Sequence, residues 1–178
     1  MFINIYIYYD IKININVLVK GKMYLTLPIS SINNRFIFYN NKIKNNVFPD
    51  SIFTRLLYST PHFTMNGIFC SVVFKILKTS NSFGKNKCFI DTSSSTSNSS
   101  IAFLKKIEYN ILTNYANKNE DNIGHRTPVY SLTDNLHNNK TINVFNNITI
   151  QNENTFILKI FGIWETNNHY GLTYKFVV

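Results

Sequence analysis

The side chains suited to acid–base, nucleophilic or metal chemistry are few and dispersed. The four histidines, His62, His125, His137 and His169, are scattered through stretches that read as loops. The nine acidic residues do not cluster. Glu120 and Asp121 are adjacent in a loop, and Asp50, Asp91, Glu108 and Asp134 are spread out, whereas a two-metal site needs carboxylates at short range. There is no Gly-rich phosphate loop, nucleophile elbow or His-Glu-x-x-His motif. Cys70 and Cys88 have no metal-ligand spacing and are too few for a disulfide scaffold. The expectation is a protein that binds rather than catalyses, with no metal and no cofactor.

Basic residues interleaved with aromatic ones supply the remaining chemistry. Lys20, Lys22 and Tyr24 form one group, and Arg35, Phe36, Phe38 and Tyr39 a second. Lys159, Phe161 and Trp164 form a third, and Tyr170, Tyr174 and Lys175 a fourth. Single-strand binders pair a cationic groove with rings on which bases stack. The residues expected to touch nucleic acid are Lys20, Lys22, Tyr24, Arg35, Phe38, Lys159, Trp164, Tyr174 and Lys175. Many of the 11 tyrosines and 15 phenylalanines must also fill the core of a chain this size.

Charge points the same way. The net charge is +9, with 18 Lys and Arg against 9 Asp and Glu. Such a balance favours a polyanionic partner. Fifteen of the 18 basic residues are Lys, and Asn and Ile are also abundant, as an A/T-rich genome produces, so single surface Lys and Asn residues say little. No apolar run reaches about 18 residues, so no membrane span is expected. Asn4, Asp10, Lys12, Asn14 and Asn16 break the apolar start, which lacks a basic leader and a cleavage site, so an intracellular protein is expected. The sequons at Asn98, Asn139 and Asn147 read as chance in a chain this rich in Asn, Ser and Thr.

The elements that would position these residues are mostly strands. Alternation predicts strands over 2–9, 11–17, 23–29, 35–39, 87–90 and 141–150, with a long central one over 68–77 that is apolar on both sides. Lys20-Gly21-Lys22 and Asn66-Gly67 read as turns, and 40–46 as a polar loop. A short helix is expected over 50–58, with Asp50 as its cap, and a flexible Ser/Thr loop over 92–100. The best helical pattern runs from Ile101 to Lys118, with Ile101, Leu104, Ile107, Ile111, Leu112 and Tyr115 on one face. After it come a loop to Arg126, an extended piece over 128–132 and a polar turn over 134–140. The clearest element is a closing hairpin, 156–165 and 172–178, with Leu158, Ile160 and Trp164 alternating against Ile157, Lys159, Phe161 and Ile163. Trp164 and Tyr174 are expected near each other across it.

Strands, one substantial helix, then a final hairpin make a mainly β, α+β domain over 1–178, in the order of an oligonucleotide-binding (OB) barrel with N-terminal strand additions. Ile160-Phe161-Gly162-Ile163-Trp164-Glu165-Thr166 with Gly171-Leu172-Thr173-Tyr174-Lys175-Phe176 resembles the closing hairpin of OB-fold single-stranded-DNA-binding replication proteins of large DNA viruses. The resemblance covers about 20 residues. It implies single-stranded DNA as ligand and a role as a replication accessory factor at the host-cell replication site. Phage-type members end in an acidic tail, and no acidic run occurs here, so regulation through such a tail is not implied. The alternative is a viral structural or assembly protein whose apolar strands build a subunit interface. Self-association is compatible with either.

Overall fold

The computed structural model describes residues 2–7, 11–18, 22–45, 50–82, 85–119, 123–144 and 148–178; of 2–7, 11–18, 22–24 and Ser82 it describes the backbone alone. The chain is mainly β with two α-helices among these residues. The first seven strands are β1 (Phe2–Ile7), β2 (Ile11–Leu18), β3 (Lys22–Pro28), β4 (Ile37–Lys44), β5 (Ile52–Ser59), β6 (Thr64–Met65) and β7 (Ile68–Phe74). There follow β8 (Ile76–Ser82), β9 (Lys85–Ile90), helix α1 (Ser95–Lys118), β10 (Thr127–Val129), helix α2 (Ser131–His137) and β11 (Thr141–Val144). The chain closes with β12 (Asn154–Glu165) and β13 (His169–Val177).

All thirteen strands join one sheet; nine lie along the path β1-β2-β3-β7-β12-β13-β11-β9-β8, and β4, β5, β6 and β10 attach beside it. The path is open: no pairing among the described residues joins β1 to β8. The twelve-residue β12 is the spine. One edge pairs with β13 along Ile157–Glu165, while the other pairs with β7 along Asn154–Ile160 and with β5 along Gly162–Glu165. β4 extends the sheet beyond β5, and β10 lies parallel to β13.

Both described helices pack on one side. Ile101, Leu104, Ile111, Leu112 and Tyr115 of α1, with Leu132 and Leu136 of α2, are buried against Ile68, Cys70, Val72, Phe74, Leu158, Ile160 and Phe176 of the sheet. The expected apolar face of α1 is therefore its core face, and β7, flanked by β3 and β12, is central as expected.

Several local expectations fail. Residues 52–59 form β5, not a helix, because β4 and β12 offer hydrogen bonds on both edges; Ile52, Phe53, Leu56 and Leu57 fit both periods. Asp50 takes φ 55° and caps nothing. The Ser/Thr stretch is helical from Ser95: the Lys75 N–H donates to Ser97 Oγ and Ser100 Oγ donates to the Val73 carbonyl, so hydroxyls dock the helix onto the sheet end. Residues 131–137 are helical because Glu108 of α1 accepts from the N–H groups of Leu132 and Thr133 and from Thr133 Oγ1, a cap from a distant element. Arg35 lies in a 3-10 turn, Asn34–Phe36, and β4 runs from Ile37 through the expected loop to Lys44, since an edge strand tolerates polar residues. The strand expected over 141–150 ends at Val144, and the long one over 68–77 breaks at Lys75. The Lys20-Gly21-Lys22 turn lies largely outside the described residues.

Candidate nucleic-acid interface

Register decides which side chains share the side away from the helices. Along β12 and β13, Leu158 faces Phe176 and Ile160 faces Tyr174 toward the helices, while Lys159 faces Lys175 on the open side. A β-bulge between Ile160 and Gly162 then inserts Phe161 as an extra residue. Parity shifts, so Ile163 and Glu165 point to the helices, and Trp164, opposite Gly171 and Phe53, points to the open side. Trp164 therefore joins Lys159 and not Ile160. Tyr174 is on the helix side, where its hydroxyl donates to the Ser131 carbonyl and accepts from Asn135 Nδ2. The expected Trp164–Tyr174 neighbourhood is thus split across the sheet.

Around the bulge the open side is crowded with rings and cations. A depression of about 430 Å³ is lined by Phe53, Arg55, Asn66, Lys159, Phe161 and Lys175. Lys159 Nζ lies 4.6 Å from the Phe69 ring centroid and 5.8 Å from that of Phe161. Burial, and then the Lys175 ammonium, hold its pKa below the usual lysine value. Gly162 is needed where these rings converge: a Cβ there would come within 2.3 Å of the Phe53 ring and 2.6 Å of the Thr54 carbonyl oxygen. Trp164 lies over Gly171, where an added Cβ would be 2.8 Å from its ring. Trp164, Phe161 and Phe53 are all partly exposed, while Ile157 farther along the same side is buried.

The open side continues outward in both directions. On β4 it carries Phe38 and Ile43, 48% and 52% exposed. Through β9 and β8 it carries Phe89, with Lys78 and Lys87 Nζ 4.8 and 5.6 Å from its ring centroid. Negative charge is kept away. The described strands contain ten Lys and Arg residues and one acidic residue, Glu165. That carboxylate is buried on the helix side, where it accepts from Tyr115 Oη at 2.5 Å and pairs with Lys42 at 3.0 Å and Arg126 at 3.3 Å. No ion pair to a described carboxylate holds Arg55, Lys159 or Lys175.

Of the residues expected from the sequence, Lys159, Trp164 and Lys175 share this site and Phe38 borders it. Arg35 is exposed in its turn, apart from them. Lys22 and Tyr24 lie in β3 with only their backbone described, and Lys20 is outside the described residues. Sequence reasoning missed Arg55 and Phe53, which the expected helix over 50–58 hid, and Lys78, Lys87 and Phe89. Alternation within 52–59 was the available signal. Among the described residues no group of three or more His, Cys, Asp and Glu converges on a metal-sized site, and no helix is long and apolar enough to cross a membrane.

The chain matches no protein-family model, no curated protein and no solved structure.

Proposed function

We propose that the chain binds single-stranded nucleic acid on the helix-free side of its sheet. The observation that supports this is the segregation of charge and rings. Arg55, Lys159 and Lys175 line one depression with partly exposed Phe53 and Phe161, Trp164 lies on the same side opposite Phe53, and the one acidic residue of the described strands is turned to the opposite side. Cations neutralise phosphates, and the ring faces accept unpaired bases of any sequence. A single strand can splay its bases onto such a surface, whereas a duplex keeps them stacked. The hairpin resemblance adds DNA as the polymer and viral DNA replication inside the host cell as the setting. The OB-like part of the proposal is restricted to the closing β12–β13 hairpin, since β10, α2 and β11 stand between α1 and that hairpin and the strand path runs open.

Fluorescence polarisation of a labelled oligo-dT at two salt concentrations tests the reading. Micromolar or tighter binding that weakens steeply with salt is expected; absence of binding at low salt refutes it. The second reading, a structural or assembly protein, is favoured by Phe38 and Ile43, exposed on the edge strand β4. Light scattering that showed a large closed shell or filament, without nucleic-acid affinity, would select it.

A further inference from the structure

A second groove lies around the edge of β4, on the helix side of the sheet. It is about 280 Å³ and is walled by Phe38, Tyr39, Asn40, Lys42, Lys118 and Asn119, with Tyr115 beneath. We infer that this groove seats one further nucleotide of the strand bound on the open side; the inference rests on the single-strand reading above.

Phe38 joins the two surfaces. Its register with Leu57 places it on the open side, yet it also walls the groove. β4 pairs only with β5 among the described residues, so no described strand separates the open side from the groove at this edge. The groove is cationic: Lys118 Nζ lies 5.4 Å from the Tyr39 ring centroid and Lys42 Nζ 5.6 Å from that of Tyr115. Lys42 and Arg126 together outweigh the buried Glu165, and Lys118 adds a further charge. Burial raises the pKa of both Tyr39 and Tyr115, so neither phenol contributes negative charge. Their hydroxyls bond inward, Tyr39 to the Ile111 carbonyl and Tyr115 to Glu165; Tyr115 is fully buried, which leaves the partly exposed Tyr39 ring and the Asn40 amide at the groove. The volume is at the small end for ligand sites and suits a nucleotide rather than a longer segment.

The seat and Trp164 lie on opposite sides of the sheet, so a strand must round the β4 edge to reach both and oligonucleotide length separates the two surfaces. Affinities for oligo-dT of about 4 and about 12 residues, spanning the site sizes of single-strand binders, are measured for the wild type, Phe38→Ala, Lys118→Gln and Trp164→Ala. Lys118→Gln is expected to weaken the longer ligand about threefold with the shorter ligand unchanged, and Phe38→Ala, which also borders the open side, to weaken the longer ligand about tenfold and the shorter one less. Trp164→Ala weakens both lengths. Equal losses on both lengths, or none on either, for the Phe38 and Lys118 variants overturn the seat while the single-strand reading stands. Failure of the wild type to bind either length at low salt overturns both.

Discussion

In the proposed complex with single-stranded nucleic acid, Trp164 and Lys159 act through different physics, and each has its own signature. Trp164 offers a ring to a base, and one stacked base is worth roughly 1–3 kcal/mol. Trp164→Ala is therefore expected to weaken oligo-dT binding about tenfold or more, and Trp164→Phe to restore most of the loss. Phe176, buried on the helix side, supplies the contrast. Phe176→Ala leaves a core cavity and is expected to cost about 3–5 kcal/mol of stability with little loss of affinity in the folded fraction. Equilibrium denaturation beside the titration separates the two. Lys159 is a cation held partly out of water beside Lys175. Its pKa is lowered, so it loses its proton at a lower pH than an ordinary lysine. Affinity should fall as pH rises through that lowered value, and Lys159→Arg should move the fall to higher pH. A titration of affinity against pH reads this directly; an identical curve for the arginine variant counts against contact by Lys159.

At the scale of elements, α2 depends on one distant side chain. Glu108 is fully buried and accepts three hydrogen bonds at the start of α2. Glu108→Ala strands those donors and should cost about 3 kcal/mol, measured by denaturant unfolding. Burial raises the Glu108 pKa above its ordinary 4.5, against the opposing pull of its donors. The folded state then binds its proton more tightly than the unfolded chain. The resulting stabilisation is present below the ordinary value and is lost as pH rises through the raised one. Glu108→Gln should flatten that part of the stability–pH profile. This cap also shows why α2 was hard to read in the sequence: its N-cap, Tyr130, makes no side-chain capping hydrogen bond, and the group that caps the helix is about two dozen positions away in α1. The closing hairpin and the core face of α1 were legible because their periodicity is local. The side on which Trp164 falls was not, because one inserted residue, Phe161, reverses the alternation that a strand pattern assumes. β5 was misread because the same four apolar residues satisfy both a helical and a strand period, and only its neighbours in the sheet decide between them.

For the whole molecule, the sheet divides the protein into two unlike sides. The helix side holds the core and the buried Glu165 and Glu108; the open side gathers Arg55, Lys159, Lys175, Lys78 and Lys87 among aromatic rings. The +9 net charge alone would draw any polyanion to any face. The central claim is narrower: one side of the sheet binds. Paired charge reversals test it most directly. Arg55→Glu with Lys175→Glu alters the open side, and Lys105→Glu with Lys106→Glu alters the exposed side of α1, each changing net charge by the same amount. Oligo-dT affinity at fixed salt should collapse for the first pair and fall only modestly for the second. Equal losses from both pairs, or a larger loss from the helix pair, would contradict it.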